Sequence, residues 1–174
     1  MGSTKSVYTY NKLKNEKSEI IKYIKGVILL SLIDIQTVLK FYLKDKYDKY
    51  VKIAVEKKKE GLENELMSKD CFIYPISVKT FLKYSKDNQE IDFMNYMKDS
   101  KLEKLNNIDA PIFMRWGNVN EMILQEARQL VSDIENILIN ENKDIGYIDG
   151  ADHEYVDKEE ILASEIVKFI MKNK

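Results

Sequence analysis

Ala110-Pro111-Ile112-Phe113-Met114-Arg115-Trp116-Gly117 is the stretch on which the fold turns. A proline opens it where a missing N–H is tolerable, a glycine closes it, and the mostly apolar run between is too short for a helix. It predicts a short strand covered on both faces. Gly26-Val27-Ile28-Leu29-Leu30-Ser31-Leu32-Ile33, upstream, is continuously apolar and reads as a first strand. Downstream, Asp144-Ile145-Gly146-Tyr147-Ile148 reads as a third, ended by Asp149-Gly150-Ala151-Asp152-His153.

Around these runs the apolar spacing changes to threes and fours. One amphipathic helix is predicted over residues 7–24, with Gly26 as its stop, and another over 121–138. A last helix is predicted over 158–172, with Asp157 as N-cap and Ile161, Leu162, Ile166, Phe169 and Ile170 as its apolar stripe. Residues 36–105 carry only helical signals: two helices broken near Asp45 to Asp48 or near Gly61, a third over 78–84 and a shorter one over 90–97. Strands alternating with helices call for parallel pairing and right-handed crossovers. The expectation is an α/β fold with a short, mostly parallel sheet of about three strands flanked by helices. Residues 1–35 and 106–174 form the core, and 36–105 an inserted helical cap.

Composition narrows the function classes. The 174 residues hold 28 Lys+Arg against 29 Asp+Glu, a net charge of −1, so the positive footprint of a phosphate-backbone binder is missing and no nucleic-acid partner is expected. About 70% of the surface of a chain this size is buried on folding, enough for a real core. No apolar run is long enough to span a bilayer, so no membrane partner is expected. Cys71 alone excludes an internal disulfide and suits a reducing, cytoplasmic location. With one histidine, His153, a Cys/His zinc cage is excluded, and neither metal nor cofactor is expected.

In open α/β sheets ligands bind beyond the carboxyl ends of the strands. Three segments meet there: Ser31 to Asp34, Trp116 to Glu121, and Asp149 to His153. His153 is therefore the candidate general base, with carboxylates around it. Asp149 and Asp152 read as turn formers, and Trp116 as packing or the mouth of a pocket.

Ile108-Asp109-Ala110-Pro111 through Gly117-Asn118-Val119-Asn120-Glu121, followed by Ile148-Asp149-Gly150-Ala151-Asp152-His153-Glu154-Tyr155, resembles the C-terminal half of an α/β-hydrolase. In that superfamily the penultimate strand starts at a proline and ends in Gly-x-x-Asp, the triad acid. The last strand ends in Gly-Ala-x-His, the base, and a closing helix follows. The strand at Gly26 to Ile33 resembles the one after the nucleophile-bearing helix, which puts residues 36–105 in the place of the cap. The resemblance implies hydrolysis of an ester, thioester or amide through an acyl-enzyme, with His153 as base.

Two positions depart from the pattern. The Gly-x-Ser-x-Gly elbow is missing from the sequence, and Ser3, in Met1-Gly2-Ser3-Thr4-Lys5, lacks its spacing and its preceding strand. The acid slot falls on Asn120, an amide, so the resemblance leaves either the Asn120 position or Asp34, at the end of the first strand, to orient the imidazole. Asp34 has a plainer role beside it, the N-cap of the helix from Gln36, and the Asn120 amide cannot stabilise an imidazolium as a carboxylate does. Glu121, one residue past the slot, reads as a favourable acid in a helix's first turn. The expectation is a truncated hydrolase-like chain, inactive alone. The alternative is a non-catalytic assembly module that pairs through the exposed edge of the first strand, as a homodimer or with a separate N-terminal half.

Overall fold

The computed structural model describes residues 2–85 and 101–173. It divides into two compact units, one of residues 1–33 and 93–174 and one of residues 34–92.

The first unit is built on a three-stranded parallel sheet in the order β1 (Val27–Leu30), β2 (Ile112–Gly117), β3 (Lys143–Ile148). Val27 lies opposite Ile112 on one side of the central strand, and Ile112 opposite Lys143 on the other. Every residue of β2 is buried, whereas the first five of β3 are half-buried, as a central and an edge strand should be. Helices α1 (Gly2–Asn15), α6 (Ala127–Ile137) and α7 (Glu159–Lys172) flank the sheet, and the short α5 (Glu103–Asn106) leads into β2. Phe169 of α7 packs on Phe113, the ring centroids 5.4 Å apart and the planes tilted by 49°. Gly26 lies under the same ring, where an added Cβ would come within 3.2 Å. The α/β class and the three parallel strands agree with the sequence reading.

Boundaries differ from it for local reasons. The helix expected over 7–24 ends at Asn15 because Lys17 turns left-handed, at φ 52°, and the Ser18 amide bonds back to the Leu13 carbonyl. Ser18 then accepts the Ile20 amide and starts a separate 3-10 turn, Glu19–Tyr23. Helix α6 begins at Ala127 rather than 121. Asp157 sits at φ 61° instead of capping α7, whose N-cap is Lys158.

The second unit contains α2 (Ile35–Leu43), α3 (Tyr47–Lys59) and α4 (Val78–Ser85). A 3-10 turn over Lys44–Lys46 separates the first two, and an isolated bridge joins Leu66 to Ser77. Its own core gathers Leu39, Leu43, Ala54, Met67, Cys71, Ile76, Val78, Phe81 and Leu82. The helix expected over 90–97 lies outside the described residues. Among the described residues no helix is long and apolar enough to cross a membrane.

Candidate functional site

Parallel strands bring the loops after β1, β2 and β3 to one rim of the sheet. The last two are stitched together through their backbones. Asn118 and Val119 both donate their amides to the Ala151 carbonyl at 2.9 Å. The Asn118 side chain binds Asp149 Oδ1 at 2.7 Å and accepts the Gly150 amide at 2.8 Å. This approach leaves no room for a side chain at Gly117, where a Cβ would lie 2.3 Å from the Ala151 oxygen. Asp152 shapes the turn that follows, its Oδ1 accepting the amides of Glu154 and Val156.

His153 leaves this turn with Nδ1 2.5 Å from Glu121 Oε1. The Glu121 carboxylate is 1% exposed and accepts three further hydrogen bonds. They come from the Gly117 amide at 3.1 Å, the Met122 amide at 2.9 Å and Ser31 Oγ at 2.7 Å. Tyr155 Oη lies 3.1 Å from Ser31 Oγ and donates to the Arg115 carbonyl at 2.7 Å. Ser31, Asn120 and Tyr155 all hold left-handed backbone, at φ 45°, 50° and 60°, a conformation that asparagine tolerates and that costs the serine and the tyrosine.

Burial works against ionisation of Glu121, but the bonds from His153, Ser31, Met122 and Gly117 outweigh it and hold the carboxyl below the ordinary carboxylate value. The same contact acts in reverse on the imidazole. The Glu121 hydrogen bond raises His153 above its ordinary value, against a smaller opposing effect of burial. Burial pushes the Tyr155 phenol up, so it stays a neutral donor. With Nδ1 committed to a carboxylate, Nε2 is the nitrogen left to exchange a proton, and it has no hydrogen-bond partner among the described residues. The ring is 36% exposed, within reach of an incoming group.

Of the residues singled out in the sequence, His153 is the ring at the centre of this cluster. Its carboxylate partner is Glu121. Asn120 occupies the acid slot but serves as a bend: in left-handed backbone, which asparagine tolerates, it turns the chain so that Glu121 folds back onto the Gly117 amide. The first-turn reading of Glu121 fails because residues 121–126 are irregular and α6 starts later. Asp34 caps α2, with Oδ1 accepting the Thr37 amide at 2.9 Å and Oδ2 the Thr37 hydroxyl. Ser3 serves the strand: its Oγ donates to the Leu30 carbonyl at 2.6 Å and accepts the Leu30 amide at 2.9 Å. Trp116 is fully buried and donates to the Leu32 carbonyl at 2.7 Å, which makes it packing.

Ser31 and Tyr155 fall within stretches quoted from the sequence, but the sequence assigns neither a role. The only signal was Ser31's place at a strand end facing two other loops. Among the described residues no group of three or more His, Cys, Asp and Glu side chains is arranged to hold a metal ion. No protein-family model matches this chain, and no curated protein matches it by sequence.

Proposed function

We propose that this chain carries the acid–base half of an acyl-transfer site, with His153 as general base and Glu121 as the carboxylate that orients it. The observation that carries the reading is the buried Glu121 carboxylate on His153 Nδ1, which leaves Nε2 for proton transfer at the rim of a parallel sheet. Such a pair takes a proton from an attacking hydroxyl and returns it to the leaving group, while the fixed negative charge stabilises the imidazolium between those events. Helix α1 supports this chemistry. Ser3 ties its first turn to Leu30, next to Ser31, which sets the N-terminus of α1 against the end of β1, and a helix N-terminus favours negative charge beside it.

The substrate class is a small ester, thioester or amide, by the resemblance to α/β-hydrolases, and the location is cytoplasmic. The attacking group of the Gly-x-Ser-x-Gly type is not in this sequence, so the chain alone does not turn over. Two measurements test this. Purified chain should show no His153-dependent hydrolysis of a short-chain p-nitrophenyl ester. Joined to a separately supplied N-terminal half that carries a Gly-x-Ser-x-Gly, it should gain an esterase activity that His153→Ala abolishes. His153-dependent hydrolysis by the chain alone, or activity of the joined halves that survives His153→Ala, contradicts the proposal.

A further inference from the structure

The two edges of the sheet are treated differently. On β1 the Leu30 peptide faces away from β2, and both its N–H and its C=O are taken by Ser3 Oγ. The outer edge of β3 has no such cover. The Ile112 amide donates to the Asn142 carbonyl, so by strand alternation Asn142, Asp144, Gly146 and Ile148 present their peptide groups to β2. Those of Lys143, Ile145 and Tyr147 point outward, and none has a hydrogen-bond partner among the described residues. Exposed edges are normally guarded by a lysine, a proline, a bulge or a projecting charge. Both charges of β3 are instead tied back into the unit. Lys143 Nζ donates to the carbonyls of Glu135 and Leu138 at the end of α6, and Asp144 Oδ1 accepts Arg115 Nη2 at 2.7 Å.

We propose that β3 pairs antiparallel with β3 of a second copy, joining the two three-stranded sheets into one. The strand fits itself in the register centred on Ile145. Lys143 then lies opposite the partner's Tyr147 and Asp144 opposite the partner's Gly146, so no like charges face each other. The outward peptides fall in hydrogen-bonded positions, Ile145 with its own copy and Lys143 with Tyr147 in both directions, about six bonds in all. A two-fold contact of this kind is closed, so it stops at the dimer. A second copy brings the same outward peptides in a register that sets no like charges opposite one another. The dimer does not depend on the chemistry proposed at the rim.

The test is the mass of the full chain in solution by light scattering from micromolar to millimolar concentration, with amide hydrogen exchange at β3. Twice the 20.5 kDa chain mass is expected, with the Ile145 and Tyr147 amides protected in the dimer. Tyr147→Pro, which deletes an outward N–H and no bond to β2, should return the mass to that of one chain with an unchanged circular dichroism spectrum. A single-chain mass throughout, or a dimer that persists in folded Tyr147→Pro, overturns the proposal. If that variant does not fold, exchange in the unaltered dimer decides: free exchange at Ile145 and Tyr147 overturns the pairing, and protection supports it.

Discussion

Two charged clusters, each centred on one buried side chain, lie within and just beyond the central strand of the sheet, and they end differently. Arg115, within β2, directs Nε to Glu165 at 2.5 Å and Nη2 to Asp144 at 2.7 Å, while Nη1 serves the carbonyls of Met114 and Asp144. Its guanidinium also lies 4.2 Å over the Phe113 ring. Each of its nitrogens is engaged, and what it joins is β2, β3 and α7. At the end of the strand, Glu121 is as fully engaged as Arg115, but its partner His153 keeps one nitrogen open at a partly exposed ring. A saturated cluster fastens elements, whereas one with a single valence left at the sheet's rim is fit to move a proton. The two clusters thus differ in what remains unpaired: nothing in the one within β2, and one ring nitrogen in the one that joins the loops after β2 and β3.

The largest effect expected from that difference is catalytic. Under the proposed function, in a chain supplied with an attacking group, Glu121→Gln should lower kcat about 10⁴-fold, because an amide can no longer hold the imidazolium or fix its tautomer. Ester hydrolysis by the folded variant measures it. Arg115→Met should do the reverse. It should cost about 3 kcal/mol in denaturant unfolding, the low end for a broken buried pair because Asp144 and Glu165 are 41% and 33% exposed and can rehydrate. The acidity of His153 should be unaffected.

Gly117→Ala probes the stitching that brings the two loops together. Its Cβ would meet backbone atoms that cannot swing away, so a loss of about 2 kcal/mol is expected, as for overpacking, with the His153–Glu121 contact disturbed as well. Ser31→Ala removes one of four bonds to Glu121 and should cost about 1 kcal/mol while bringing the carboxyl back toward its ordinary value.

The pH dependence of the pair follows from the two shifts. Glu121, lowered in the fold, contributes stability above the ordinary carboxyl value of 4.5 and loses it as pH falls through its lowered pKa. His153, raised in the fold, contributes below 6.5 and loses it as pH rises through its raised pKa. The stability difference between unaltered chain and Glu121→Gln should therefore be greatest between pH 4.5 and 6.5 and should shrink on either side. Urea unfolding at a series of pH values reads it directly.

The sheet was legible because short apolar runs bounded by Pro111, Gly117 and Gly26 admit few alternatives, and the position of His153 followed from parallel strand order. Its partner was not legible. Choosing Glu121 over Asp34 or Asn120 required knowing that Asn120 would turn left-handed and that α6 would start six residues later. Neither is fixed by helical periodicity, which ran through residues 121–126 without a break. Ser31 was hidden for a related reason: a serine's role depends on the donors and acceptors that other loops bring to it. Asp157 shows the converse, a good capping residue that the backbone of the preceding turn rotates out of position.

His153 is the only histidine, so its ring gives a single pair of imidazole proton signals, and their titration by NMR tests the His153–Glu121 pair without any substrate. The midpoint should lie above 6.5 in the unaltered chain and drop in folded Glu121→Gln, where the favourable partner is gone and burial remains. A midpoint at or below 6.5 in the unaltered chain, or one that Glu121→Gln leaves in place, would contradict the pairing on which the functional reading is built.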